Sequence, residues 1–221
     1  MVRYAVYLTP VWESDLADAA ARWLGRCAFE GKRTAPLAPP EAAPEVPAQY
    51  GFHATMRAPF RLRADQGEAQ LLRTFGAFAA RQGLVSVPLE VGRLGNFLAL
   101  VSSDPTPLAA AANAALEAFE PFRAPLSEAE RARRNPEKLD ERGRELLDRW
   151  GYPYVEERFT FHMTLSGPVK GENALKDVEA AAARHFASFV DGTPVELEFA
   201  LFSQNADEPF RIIATAAETL L

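Results

Sequence analysis

A single cysteine stands among the 221 residues, which excludes an intramolecular disulfide and a thiolate metal cluster. Cys27 falls in a helical pattern and reads as a small packed hydrophobe rather than a nucleophile. No apolar run approaches the roughly 20 residues that a bilayer-spanning helix needs. Basic residues are also short: the net charge is −6, whereas affinity for a phosphate backbone is built from clustered Lys and Arg. Coating nucleic acid, DNA included, is therefore excluded as the main task. The opening Met-Val-Arg-Tyr-Ala-Val-Tyr-Leu-Thr-Pro reads as a strand without the features of a secretory leader, so a cytoplasmic location is expected. His-Glu-x-x-His, Cys-x-x-Cys, Gly-x-Ser-x-Gly and the phosphate-binding Gly-x-x-x-x-Gly-Lys-Ser/Thr are all missing. The commonest zinc, serine-hydrolase and nucleoside-triphosphatase readings go with them, and no cofactor or metal is expected.

Hydrophobic residues make up 48% and charged residues 24%, ordinary values for a globular chain long enough to bury a sizeable core as one large domain or two small lobes. The spacing predicts a strand over 3–8, then a helix over 13–24 with Trp12 and Trp23 packed as core. Five prolines between Thr34 and Pro47 predict an irregular or polyproline-like loop, for which a functional rim or lid is one explanation. A helix over 67–82 is followed by two strands, 87–93 and 97–101, joined at Gly95-Asn96. Helices are predicted over 106–119, 127–150 and 173–189, and strands over 195–202 and 210–215. The basic run Arg131 to Arg134 with Lys138 is interleaved with acids and reads by default as a solvated helix face, with bordering a small groove the alternative.

Only three histidines occur, and two of them stand in copies of one short message, Gly-Phe-His53-Ala-Thr55-Met and Thr-Phe-His162-Met-Thr164-Leu, about half the chain apart. A lone His-x-Thr in a strand is ordinary alternation; the repetition is the signal. Successive side chains of a strand point to opposite faces, so His53 and Thr55 share one face and Phe52, Ala54 and Met56 the other. The second copy behaves in the same way. Each half of the chain reads helix, His strand, helix, strand, strand, which predicts an α+β fold of two pseudo-symmetric lobes with the His strands, near 52–57 and 159–165, side by side across a cleft. The third histidine, His185, sits at helical spacing and reads as structural.

Imidazoles titrate near pH 6.5, so a pair divides acid and base work at neutral pH. The two threonine hydroxyls suit the nonbridging oxygens of a phosphoryl group as charge develops there. Such a symmetric set fits the in-line opening or transfer of a phosphodiester.

Paired His-x-Thr strands about half a chain apart resemble the two-histidine phosphoesterase superfamily. The strings Arg-Tyr-Ala-Val-Tyr-Leu-Thr-Pro10, Tyr-Gly-Phe-His-Ala-Thr-Met-Arg-Ala-Pro-Phe60, Trp-Gly-Tyr-Pro-Tyr-Val155 and Phe-His-Met-Thr-Leu-Ser-Gly167 resemble more closely a bacterial branch of it encoded beside phosphonate-utilisation genes. The likeness covers essentially the whole chain, 1–221. It implies a single domain with a duplicated, bilobal α+β fold, antiparallel sheets around a central cleft and helices outside. It further implies a hydrolase without a metal, with His53, Thr55, His162 and Thr164 as the catalytic set.

Around these four residues, parity nominates Arg57 as a phosphate fork on the His53 face, with a solvent-exposed strand-end charge as the alternative. Tyr152 and Tyr154 fit two roles, stacking on a base or ribose and packing the lobe junction. Tyr4 and Tyr7 lie on opposite faces of the first strand, so one alone readily reaches the cleft, and Tyr4 is taken as the candidate. The expected substrate is a small cyclic phosphodiester, a ribose cyclic phosphate of phosphonate breakdown being the specific suggestion of the resemblance. An RNA or oligonucleotide end and a noncatalytic nucleotide- or phosphosugar-binding cleft are the competing readings.

Overall fold

The computed structural model describes residues 2–206 and 208–216. Among the described residues eight strands form one antiparallel sheet: β1 (Val2–Pro10), β2 (Ala54–Phe60), β3 (Val85–Val87), β4 (Glu90–Leu94), β5 (Phe97–Val101), β6 (Met163–Thr164), β7 (Val195–Asn205) and β8 (Arg211–Thr215). Their order is β3-β7-β1-β2-β6-β5-β4, with β8 also on β7. The protein is thus α+β with a continuous sheet, where two lobe sheets were expected. The two strands at its centre are β2 and β6, with β7-β1 outside β2 and β5-β4 outside β6; both are shorter than the stretches expected over 52–57 and 159–165, so His53 and His162 each stand one residue ahead of their strand.

One strand was expected over 87–93. Pro88 has no N–H to give to a ladder and divides it. Val85–Val87 pairs with β7 at one end of the sheet and Glu90–Leu94 with β5 at the other. The intervening Pro88-Leu89 link spans at most roughly 11 Å. The sheet therefore curls until its two ends approach one another.

Seven helices accompany it among the described residues: α1 (Asp15–Leu24), α2 (Glu45–Ala48), α3 (Glu68–Gln82), α4 (Thr106–Phe119), α5 (Glu128–Ala132), α6 (Glu141–Trp150) and α7 (Glu172–His185). Local chemistry sets their ends. Ser14 accepts from the Ala17 N–H at the start of α1, and left-handed Gly25 closes it. The single helix expected over 127–150 is two. Ser127 and Glu130 form a capping box on α5, left-handed Asn135 followed by Pro136 ends that segment, and Asp140 caps α6 through the Gly143 N–H.

One face of the sheet carries Val6, Leu8, Met56, Leu98, Leu100, Met163, Phe199 and Leu201 into the main core, against Trp23, Phe75, Phe78, Phe119 and Phe186. Phe78 meets Phe119 and Phe199 edge-on, with ring centroids 5.3 and 5.0 Å apart. Trp12, expected in the core, is 39% exposed. The prolines of 34–47 shape a short 3₁₀ turn and α2, and Ala38 and Ala42 are buried. On the other face of the sheet, Ala5, Tyr7, Ala200, Phe202 and Phe210 make a small separate cluster. His53 borders that second cluster.

Candidate functional site

Alternation along β2 and β6 buries Ala54, Met56 and Met163 in the main core and turns Thr55 and Thr164 to the opposite face. β2 pairs with β6 through Ala54↔Met163. Extending this antiparallel register one residue each way sets His53 opposite Thr164 and Thr55 opposite His162. The four residues thus form a square with a two-fold relation. All four line one cavity of about 440 Å³ with Tyr7, Tyr50 and Tyr152.

The two imidazoles are held alike. His53 Nδ1 lies 2.8 Å from the carbonyl of Gly51, and His162 Nδ1 2.8 Å from that of Thr160. A carbonyl only accepts, so Nδ1–H donates in both, which leaves Nε2 of each ring as the nitrogen available for proton transfer. Gly51 is required at its place: its φ is +80°, and a Cβ would come within 2.5 Å of the Ala28 Cβ.

Their surroundings differ. The His53 ring stacks on Tyr7, with centroids 3.8 Å apart and planes 26° from parallel, and Tyr50 and Phe202 stand at 6.0 and 6.2 Å. Burial pushes the His53 imidazole down to about 4, partly opposed by its bond to the Gly51 carbonyl and reinforced by the charge of His162. His53 is therefore a neutral imidazole at pH 7. The Tyr7 hydroxyl is driven well above its ordinary value, chiefly by burial.

Three expected helpers lie elsewhere. Arg57 is buried away from the cavity, because the ladder bulges: Tyr7 pairs with Thr55 but Val6 pairs with Arg57, which inserts an extra β2 residue and reverses the expected parity. Directly paired residues share a face, and Val6 faces the core. There Arg57 donates to the Trp150 carbonyl at 2.9 Å and to Glu120 at 2.7 Å. Tyr4 points into the main core and donates to Glu68 at 2.6 Å, so the cavity tyrosine of β1 is Tyr7. Tyr154 is 55% exposed, meets Tyr152 edge-on and lies beside a separate small crevice. Of the nominated helpers, Tyr152 alone lines the cavity.

Arg3, Glu130, Arg133 and Arg134 also line it and were not nominated. The basic run offered the signal. Its default reading was a solvated helix face with a groove border as the alternative; α5 ends at Ala132, and Arg133 and Arg134 follow it along the cavity wall. His185 is structural, within 2.9 Å of the Ala19 carbonyl. Among the described residues, no three or more His, Cys, Asp or Glu side chains gather as a metal-holding group, and no helix is long and apolar enough to cross a membrane.

Fold and cavity define an α+β protein with two histidine–threonine pairs facing one small polar pocket. The chain belongs to the family described as "Protein of unknown function (DUF1045)", whose model matches residues 55–211. It is 37% identical over 210 residues to a protein named "Ribose 1,5-bisphosphate phosphokinase PhnN" of Janthinobacterium sp. (strain Marseille), a match of 90% of this chain and 46% of the relative. A protein of the same name from Laribacter hongkongensis (strain HLHK9) is 36% identical over 192 residues, covering 84% of this chain and 44% of the relative. The chain thus spans less than half the length of these relatives.

Proposed function

We propose that this chain is a metal-independent phosphoesterase that opens a small cyclic phosphodiester, with His53 and His162 dividing the proton transfers. The observation that carries the reading is the square of His53, Thr164, Thr55 and His162, both imidazoles tethered through Nδ1 in one cavity. Neutral His53, walled by Tyr7, is the base. Its Nε2 takes a proton from water as the water oxygen bonds to phosphorus. The ester P–O bond on the far side breaks, and the departing oxygen takes a proton from His162 Nε2, leaving a phosphomonoester. Thr55 and Thr164 donate to the nonbridging oxygens as charge gathers there.

The resemblance to two-histidine phosphoesterases supports this reading. So does the sheet, where β7-β1-β2 and β6-β5-β4 flank the central seam as counterparts, the pattern that a duplicated, bilobal single domain would give. A phosphorylated ribose is the favoured substrate class, because the relatives' names contain a ribose bisphosphate and the resembled branch is encoded beside phosphonate-utilisation genes. The kinase activity in those names belongs to proteins of which this chain matches less than half, and no phosphate-binding glycine loop occurs in this chain. A cavity of about 440 Å³ suits a sugar phosphate better than an oligonucleotide.

The test is a phosphorus NMR screen of ribose and nucleoside cyclic phosphates beside oligonucleotides ending in a cyclic phosphate. Conversion of the small compounds to monoesters is the expected result. Turnover confined to oligonucleotide ends would move the protein to RNA processing, and binding without turnover would make it a binding module.

A further inference from the structure

The cavity holds more positive charge than the reaction above uses. Arg3 from β1 and Arg133 and Arg134 from the turn after α5 line it beside the histidines. Between residues 123 and 158, Arg123, Arg131, Arg142, Arg149 and Arg158 are each ion-paired to a carboxylate, and Arg144, outside the cavity, donates to the Leu139 carbonyl. Arg133 and Arg134 have no such partner among the described residues. Arg134 lies over the Tyr152 ring, 4.9 Å from its centroid, a contact that orients the guanidinium and leaves its N–H edge open. Arg3 is braced by the neutral Gln204 amide through Nε at 3.0 Å and lies over Phe210, 5.5 Å from the centroid. It too is fixed in direction with its charge uncompensated.

Among the described residues one carboxylate, that of Glu130, lies on the cavity wall, and it does not cancel them. Glu130 is held by Arg61 Nε and an Arg61 terminal nitrogen, both at 2.9 Å, and by the Ser127 N–H at 2.8 Å. That ion pair neutralises it from outside. The charges of Arg3 and Arg134 both work against the rise of the Tyr7 hydroxyl, so their field reaches the tyrosine that supports His53.

Arg133 is exposed and Arg3 and Arg134 are half-buried, so water reaches all three, and three guanidinium groups without carboxylate partners around one small cavity set up a positive field that favours an anion there. A cyclic phosphodiester carries a single charge and is already served by the histidines and threonines. A phosphomonoester carries about −1.5 to −2 charges at pH 7, with three strong acceptor oxygens. We propose that Arg3, Arg133 and Arg134 form a second anion subsite, which takes a phosphomonoester borne by the same small substrate whose cyclic phosphate reacts at the histidines. This deepens the phosphoesterase reading and rests on it for the identity of the reacting group. The substrate is then a doubly phosphorylated sugar, and the arginines select it over its dephosphorylated counterpart.

Isothermal titration with ribose 5-phosphate and with ribose tests the subsite without any turnover. The proteins are the wild type, Arg3→Gln, the Arg133→Gln/Arg134→Gln pair, its Lys counterpart and His53→Ala/His162→Ala, with thermal unfolding to check that each is folded. Ribose 5-phosphate should bind at least roughly tenfold more tightly than ribose, and each Gln variant should lose roughly tenfold or more. The Lys pair should recover part of the loss and the double His variant should lose less than about threefold. Equal affinity in the wild type and the Gln variants overturns the subsite, as does absence of binding to the wild type, or binding lost with the histidines alone. Arginine-dependent binding with no cyclic phosphate ever hydrolysed would keep the subsite and remove the phosphoesterase reading. Hydrolysis indifferent to the second phosphate and to the arginines would do the reverse.

Discussion

Tyr7 lies against the His53 imidazole at 3.8 Å between centroids, one β1 residue directly across the ladder from Thr55. The stack encloses the ring on the side where water would stabilise a positive charge. His53 titrates near 4 for that reason, chiefly through burial.

One consequence concerns stability against pH. An unfolded histidine binds its proton near pH 6.5, whereas folded His53 resists until about 4. Below pH 6.5 the unfolded chain therefore gains protons that this site refuses, and stability falls as pH is lowered from 6.5 toward 4. His53→Ala should flatten that part of the denaturation-midpoint curve. NMR titration of the His53 ring should show a midpoint near 4 that moves up in Tyr7→Ala; a midpoint of 6.5 in the wild type would contradict the enclosure.

Arg57 separates a supporting role from a substrate contact. Arg57→Met leaves Glu120 without one partner and the Trp150 carbonyl without its donor. It should cost about 3 kcal/mol in urea unfolding, the usual scale for breaking a buried ion pair. Activity per folded molecule should fall little. A fully stable but inactive Arg57→Met protein would return this arginine to the substrate.

Gly51 aims its carbonyl at His53 from a left-handed backbone. Gly51→Ala adds a Cβ that meets Ala28 at 2.5 Å and costs about 1–2 kcal/mol in backbone conformation before that clash is counted. Lower melting temperature and weaker turnover are expected together. An Ala variant with unchanged melting would show that the loop relaxes freely.

Much of this was legible in the sequence, for reasons visible in single residues. His53, Thr55, His162 and Thr164 share a cavity because strand parity holds across the short stretches around Ala54 and Met163. Helix α4 fell on its predicted residues, and the hairpin turn at Gly95-Asn96 joins β4 to β5 as its sequence implied. Parity failed two residues beyond Thr55, where the bulge before Arg57 is set by pairing with β1 and leaves no mark in β2 itself. The choice between Tyr4 and Tyr7 depended on which sheet face the helices would cover, a tertiary fact. Arg133 and Arg134 were hidden in a charge run read as one helix, whereas α5 ends at Ala132 and Asn135-Pro136 starts a separate turn. Pro136 was the overlooked signal.

Acid–base catalysis by two imidazoles predicts a rate that falls on both sides of its pH optimum, with the acid limb displaced below 6.5 because burial disfavours the charged form of His53. The limbs belong to the coupled pair and are not assigned to either residue. Exhaustive dialysis against a chelator should leave the rate intact. Inactivation reversed by zinc or manganese would instead make a bound metal the activating group.

The most direct measurement is phosphorus NMR of cyclic-phosphate opening by the wild type, His53→Ala, His162→Ala and the double variant at one pH. Each single change should cut turnover by roughly 10²-fold or more, and the double variant should lose less than the product of the two, since the imidazoles act in one step. Turnover that persists in the double variant would place the chemistry outside the His-x-Thr square.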